Sequence, residues 1–129
     1  MDVLIKYGFS IEEIKIIMDS NIDFDDISDE DVNDLIAVLD GAGCLNEHIK
    51  NIFITNPFIF NQSLNEIKKI IDLFLKIGIK DLYFIFDTNP FILNNKYDYY
   101  KRIFDKLKKD NKTNDEICNY FYYELKEVI

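Results

Sequence analysis

The sequence of 129 residues has little of the chemistry on which most catalytic sites depend. It contains no tryptophan, one histidine (His48), two cysteines, two prolines and four glycines. Four separated glycines cannot build a glycine-rich phosphate loop, and one histidine without Cys or His partners at ligand spacing does not predict a metal site. No serine or cysteine lies in a motif that marks a base and an orienting acid. We therefore expect no enzyme activity, no metal and no cofactor.

Long apolar runs and closely spaced cysteines are also missing. No apolar run approaches the ~20 residues of a membrane span, so we expect no membrane partner. Cys44 and Cys118 lie far apart, and two lone thiols predict a reducing compartment, which we take to be the cytoplasm. The length predicts a single domain over residues 1–129, because domains cluster near ~100–150 residues.

Acidic charge is concentrated in the first part of the chain. The formal net charge is −9; residues 1–50 hold three lysines against thirteen acids, and the remaining residues hold twelve basic and eleven acidic side chains. A globally acidic protein repels phosphate backbones at long range. Only the second part, where lysines cluster locally, therefore predicts a surface for nucleic acid.

A repeat of about 35 residues organises the sequence. Gly8, Gly43 and Gly78 are spaced by 35 residues each, and a third copy, after Gly78, is two residues shorter. Four residues of the first copy recur as the same residue type 35 positions later: Ile14, Lys15, Ile17 and Asn21 correspond to Ile49, Lys50, Ile52 and Asn56. The repeat predicts units of about 8–42, 43–77 and 78–109.

Each unit is expected to contain two helices. Capping-box patterns mark helix starts at Ser10, Ser28, Ser63 and Thr113, each followed three residues later by an acid. The recurring glycine ends the second helix of a unit, and Asn56-Pro57 and Asn89-Pro90 end the first. Further helices are expected over about 97–109 and 114–128. The prediction is seven helices, no sheet, and units that stack into one helical-repeat domain of either hand.

Two segments compete as strands. Ile52-Phe53-Ile54 and Tyr83-Phe84-Ile85-Phe86 have high β-propensity. The repeat favours helices there, because the equivalent segment of the first copy, Ile11 to Met18, has helical spacing of apolar residues.

The two Asn-Pro-Phe-Ile segments at 56–59 and 89–92, with the Leu75-x-x-Gly78 pattern between them, resemble the repeats of the mTERF family, the mitochondrial transcription termination factors. The resemblance covers about residues 8–109. It implies an α-helical solenoid of two-helix units, nucleic-acid binding along a concave basic face, and no catalysis. The resemblance assigns no binding residue in this chain, because none of the matched motifs contains one.

Candidate site residues therefore come from clustering. Seven basic residues could contact nucleic acid: Lys68, Lys69, Lys76, Lys80, Lys101, Arg102 and Lys106. A solvated helix face is the alternative, since Lys68 and Lys76 each lie four residues from Asp72. Five tyrosines could either cover the end of the repeat array or form a protein-contact patch: Tyr97, Tyr99, Tyr100, Tyr122 and Tyr123.

The leading prediction is a non-catalytic binding module whose partner is nucleic acid, with a role in transcription control. The alternative is an acidic protein-interaction module, an inhibitor or adaptor, that would use the acidic part of the chain or the tyrosines. His48 is expected to be an ordinary helix residue, and the acidic segment Asp23–Asp31 an acidic loop before a capped helix.

Overall fold

The computed structural model describes residues 2–21 and 23–125, and the chain divides into two compact units, Met1–Leu64 and Asn65–Ile129. Within the described ranges there are eight α-helices and no strand. Their bounds are α1 Asp2–Tyr7, α2 Ile11–Ser20, α3 Asp29–Gly41, α4 Asn46–Thr55, α5 Leu64–Ile77, α6 Leu82–Thr88, α7 Tyr97–Lys109 and α8 Asn114–Asn119. Short 3₁₀ segments lie at Phe24–Asp26, Pro57–Asn61 and Ile92–Asn94.

The all-α helical-repeat class is confirmed, with eight helices in the described ranges where about seven were predicted. The additional helix, α1, has only six residues and no capping motif ahead of it, so the pattern gave no signal for it. Both β-prone segments are helical, in α4 and α6. The β-propensity of these segments does not decide their structure, because each segment buries its apolar side as part of a two-helix unit. The division into one domain over 1–129 stays a prediction.

The recurring glycine ends a helix in the same way three times. Gly8, Gly43 and Gly78 have φ of +112°, +96° and +106°, a backbone region that glycine adopts without strain. The N–H of the next residue then donates to a carbonyl five residues back, in the pairs Phe9–Leu4, Cys44–Leu39 and Ile79–Phe74, at 3.0 to 3.1 Å. This is the Schellman turn; it confirms the predicted helix ends of α3 and α5, and it ends α1 in the same way.

A fourth copy of the turn lies at Asn111, which the sequence analysis missed. Asn111 has φ of +62°, and the N–H of Lys112 donates to the carbonyl of Leu107 at 3.0 Å. Asparagine is the commonest residue after glycine in this conformation. Helix α8 therefore occupies the place of the first helix of a further unit, after the same turn that precedes α2 and α4.

A second recurring turn is built on buried asparagines. Asn21, Asn56 and Asn89 are 1%, 1% and 6% exposed and follow α2, α4 and α6. Each donates its backbone N–H to the carbonyl four residues back, and its own carbonyl accepts, at 3.1 Å, from the N–H three residues on. The predicted helix ends at Asn-Pro are confirmed, and the asparagine is as regular a feature of the turn as the proline.

The first compact unit, Met1–Leu64, has an aromatic core. Its helices pair by type, since α1 contacts α3 and α2 contacts α4. The rings of Phe53 and Phe60 lie 4.6 Å apart, and Phe53 also stacks on Phe9 at 5.9 Å. These rings are buried, and the stacking of Phe53 on Phe9 links the second copy of the repeat to the first.

The second unit has its own core around Phe74. Phe74 is fully buried and meets the rings of Tyr100 and Phe121 at 5.5 and 5.3 Å. Helix α5 supplies further buried apolar residues, namely Ile67, Ile70, Ile71, Leu73 and Ile77.

The predicted last helix over 114–128 is too long. Helix α8 ends at Asn119, the chain continues as a π-helix over Tyr120–Glu124, and Leu125 has extended backbone at ψ 121°. The wider π turn departs from the spacing of an α-helix. Ile117 and Phe121 are buried, Tyr120 and Leu125 are half-buried, and the last part of the predicted helix, after Leu125, lies outside the described residues.

Candidate nucleic-acid interface

Three of the seven basic candidates meet around one surface depression in the second unit. This lysine depression has a volume of about 260 Å³ and lies between α5 and α7; its lining residues are Lys69, Asp72, Leu73, Lys76, Tyr97 and Lys101. Helical spacing places them there. Lys69 and Lys76 are seven residues apart on α5, and Tyr97 and Lys101 are four residues apart on α7, so each pair shares a face.

Two of the three ammonium groups are already paired with carboxylates. Lys69 Nζ lies 3.7 Å from an oxygen of Glu66, and Lys101 Nζ donates to Asp105. The hydrogen bond to Asp105 raises the pKa of Lys101, so this lysine stays charged. Among residues 2–21 and 23–125, no carboxylate lies within ion-pair distance of Lys76. Lys76 is therefore the lysine of the depression most available to an incoming anion.

The depression is held together by a contact that the sequence analysis did not foresee. Oε1 of Glu66, on α5, accepts a hydrogen bond from the backbone N–H of Tyr97, the first residue of α7, at 3.0 Å. Lys69 Nζ lies 5.9 Å from the centroid of the Tyr97 ring. The sequence pattern had assigned Glu66 only to the local capping box with Ser63, because a partner on another helix leaves no local signature.

The remaining four basic candidates lie outside the lining of this depression: Lys68, Lys80, Arg102 and Lys106. All four are exposed. Neighbouring residues on a helix point about 100° apart, so Lys68 is turned away from Lys69, and Arg102 and Lys106 share a different face of α7 from Lys101. Three of the seven candidates thus share the depression, and nucleic-acid contact by the other four stays a prediction.

Tyr100 is the clearest correction among the tyrosine candidates. Its side chain is 0% exposed, and its hydroxyl donates to the carbonyl of Ile92 at 2.5 Å. Burial raises the pKa of Tyr100, so the hydroxyl remains a donor. Tyr100 is therefore a core residue, because its ring lies on the side of α7 that faces Phe74.

The other four tyrosines do not form one surface. Tyr97 is half-buried in the lysine depression, and Tyr99 is half-buried against the ring of Tyr100 at 5.1 Å. The hydroxyl of Tyr122 accepts from the backbone N–H groups of Lys80 and Asp81, both at 3.1 Å, next to the start of α6. Only Tyr123 is largely exposed, at 72%.

In the first unit, a lysine links two repeat copies. Lys50 Nζ lies 3.2 Å from Glu13 Oε1, donates to the carbonyl of Gly8 at 3.1 Å and lies over the ring of Phe9. Glu13 also accepts from the N–H of Ser10, and that bond, followed by the one from Lys50, lowers its pKa. Lys50 therefore has a structural role.

His48 and the cysteines have structural surroundings. His48 Nδ1 accepts from the backbone N–H of Leu45 at the start of α4, so it is a capping residue. Neither cysteine forms a disulfide in the described part of the chain; Cys44 is buried, and Cys118 is half-buried and donates to the carbonyl of Ile77 at 3.2 Å. Within the described part of the chain, no group of three or more His, Cys, Asp or Glu residues is arranged to hold a metal ion, and no helix is long and apolar enough to cross a membrane.

Paired helices, with the same turns after each helix, define a helical-repeat protein. The model of the mTERF family matches residues 17–123 of this chain. The chain therefore belongs to the mTERF family. Comparison with curated proteins and with solved structures finds no match to the chain.

Proposed function

We propose that this chain is a non-catalytic mTERF-family module that binds nucleic acid through the lysine depression, with a role in transcription control in a reducing cytoplasm. The observation that carries the proposal is the meeting of Lys69, Lys76 and Lys101 around Tyr97 on α5 and α7. Ammonium groups held close together are the footprint that a phosphate backbone needs.

The size of the depression favours a backbone contact over an enclosed substrate. Its volume of about 260 Å³ lies below the ~300–1,000 Å³ of pockets that bury a small-molecule ligand. Leu73 supplies an apolar floor between the lysines, and the Tyr97 ring lies beside them. An open site with charge at its rim can accept a phosphate group while the rest of the polymer stays outside.

The concentration of acidic charge in the first part of the chain supports this placement. Residues 1–50 hold thirteen acids against three lysines, so phosphates are repelled from that part. Binding at the lysine depression must therefore be local, and it should weaken steeply as salt screens the lysines.

The test measures the binding of labelled DNA duplex, single-stranded DNA and RNA by fluorescence anisotropy, at about 50 mM and about 200 mM salt. We expect saturable binding that weakens with salt. The substitution Lys76→Glu should weaken it by roughly tenfold, because it removes one attraction and adds one repulsion.

Lys15→Glu is the matched control for that substitution. Lys15 is an exposed lysine on α2 in the other compact unit, so the same change in net charge falls outside the residues of the proposed site. It should leave the affinity within about twofold of wild type. Equal effects of the two substitutions, or no saturable binding at low salt, would contradict the proposal.

A protein partner is the second candidate function, and the exposure of Tyr123 favours it. Tyr123 is 72% exposed and meets the ring of Phe84, itself 37% exposed, at 5.9 Å. Exposed aromatic pairs are typical of protein-contact surfaces. This candidate would be supported over the first if the wild-type chain binds no nucleic acid but binds a protein partner, and if the Tyr123→Ser variant no longer binds that partner.

A further inference from the structure

Helix α7 begins without a capping side chain of its own. The residue before it is Lys96, which has no hydrogen-bond acceptor in its side chain and places a cation at the positive end of the helix dipole. The acceptor comes instead from Glu66, thirty-one residues earlier, whose carboxylate oxygen takes the N–H of Tyr97 at 3.0 Å. One carboxylate thus joins the first turn of α5 to the first turn of α7.

The same carboxylate also fixes a lysine. Its second oxygen, Oε2, lies 3.7 Å from Nζ of Lys69, and Lys69 lies over the ring of Tyr97. The side chain of Glu66 is 25% exposed, whereas that of Lys69 is 59% exposed. The carboxylate is therefore held beneath the depression while the ammonium group reaches its rim.

We propose that Glu66 is a positioning residue of the lysine depression: by joining the start of α7 to α5 it sets the placement of Tyr97, Lys69 and Lys101 relative to Lys76. This role rests on the proposed function, because the depression is taken to be the phosphate-binding site. It is opposite to what charge alone indicates, since removal of an acid beside a phosphate site ordinarily strengthens phosphate binding.

Two substitutions that remove the same charge separate positioning from electrostatics. Glu66→Gln keeps an amide oxygen that can accept from the N–H of Tyr97, and Glu66→Ala keeps no acceptor. Both variants free Lys69 from its ion pair. We expect Glu66→Gln to bind labelled oligonucleotides at least as tightly as wild type, and Glu66→Ala to bind between about 2-fold and 10-fold more weakly than Glu66→Gln, the net effect of one hydrogen bond.

A second substitution distinguishes positioning from loss of stability. Lys96→Ser places a capping hydroxyl before α7, so in Glu66→Ala it should restore the melting temperature. It cannot restore the link to α5. We therefore expect Lys96→Ser/Glu66→Ala to recover stability but to bind more weakly than Lys96→Ser/Glu66→Gln, by the same factor that separates Glu66→Ala from Glu66→Gln.

The outcomes separate this role from the proposed function. Equal affinities of Glu66→Gln and Glu66→Ala, both folded by circular dichroism, would overturn the positioning role while oligonucleotide binding itself stands. Equal affinities of Lys96→Ser/Glu66→Ala and Lys96→Ser/Glu66→Gln would overturn it as well, because a local cap would then suffice. No binding by the wild-type chain at low salt would overturn the proposed function and this role together.

Discussion

The side-chain amide of Asn21 donates to the main-chain carbonyl of Pro57 at 3.0 Å, across 36 residues of sequence. The oxygen of the same amide accepts from the N–H of Asp23 at 3.2 Å. One buried side chain therefore closes the turn after α2 and ties it to the equivalent turn after α4. A contact of this kind makes two copies of the repeat unfold together.

Replacement of Asn21 by alanine is expected to lower the free energy of unfolding by about 1–3 kcal/mol, because it leaves the buried carbonyl of Pro57 and the backbone N–H of Asp23 without this partner. Urea unfolding followed by circular dichroism measures the change. Asn33→Ala, at an exposed position inside α3, is the control and should be neutral or slightly stabilising, since alanine favours the helix. A neutral Asn21→Ala would show that the link between the turns contributes nothing.

Gly43 and Gly41 form a matched pair two residues apart. Gly43 has φ of +96°, whereas Gly41 is the last residue of α3, and a Cβ at either position meets nothing within 4 Å. Gly43→Ala should therefore destabilise the chain through backbone strain alone, by about 1–2 kcal/mol. Gly41→Ala should be neutral or stabilising by up to about 1 kcal/mol. Thermal unfolding of both variants tests this, and equal effects would contradict the left-handed turn.

Glu13 makes part of the stability of the first unit depend on pH. Its pKa is lowered, first by the hydrogen bond from the N–H of Ser10 and then by that from Lys50. A carboxyl with a lowered pKa stabilises the folded state above the ordinary Glu value of about 4.3, and this contribution is lost as pH falls through the folded pKa. The difference in unfolding free energy between wild type and Glu13→Gln should thus shrink in acid.

The measurement for Glu13 is urea unfolding at steps from neutral pH to about pH 3. Glu12→Gln, on the same helix at an exposed position, serves as the control. A wild-type to Glu13→Gln difference that stays constant across this range would contradict the coupling of Glu13 to Ser10 and Lys50.

Tyr100 and Tyr123 should respond oppositely to truncation. Tyr100→Ala empties a fully buried position against Phe74 and should cost about 3–5 kcal/mol. Tyr123→Ala, at a position 72% exposed, should change stability by no more than about 0.5 kcal/mol. Tyr100→Phe keeps the ring and removes only the bond to Ile92, so its cost should be intermediate. Comparable effects at both positions would be inconsistent with a core role for Tyr100.

Much of the fold was predictable because its turns have chemical signatures. Gly8, Gly43 and Gly78 need a backbone conformation that few residues adopt, so their spacing alone revealed the units. Asn111 occupies the same conformation and was missed, because asparagine occurs in many other settings and gives a weaker signal. Helix α1 was missed for a related reason: six residues are too few for an apolar period to be recognised.

The candidate site was less predictable, because it depends on which helix faces meet. Lys69, Lys76 and Lys101 belong to two separate lysine groups in the sequence, and only the packing of α7 beside α5 brings them together. Their neighbours Lys68 and Arg102 were indistinguishable from them by composition. The contact of Glu66 with Tyr97 spans two helices, and a pattern read within one helix cannot reveal it.

The third copy is two residues shorter than the others, and the loss falls within α6, which has seven residues where α2 and α4 have ten. Deleting two residues from a continuous helix would rotate everything beyond them by about 200°. Here the Asn89 turn intervenes, and α7 still ends at a turn of the same geometry. The turn after each first helix thus makes the direction of the next helix independent of the length of the helix before it. An insertion or deletion in one helix therefore stays local and does not disrupt the copies of the repeat that follow.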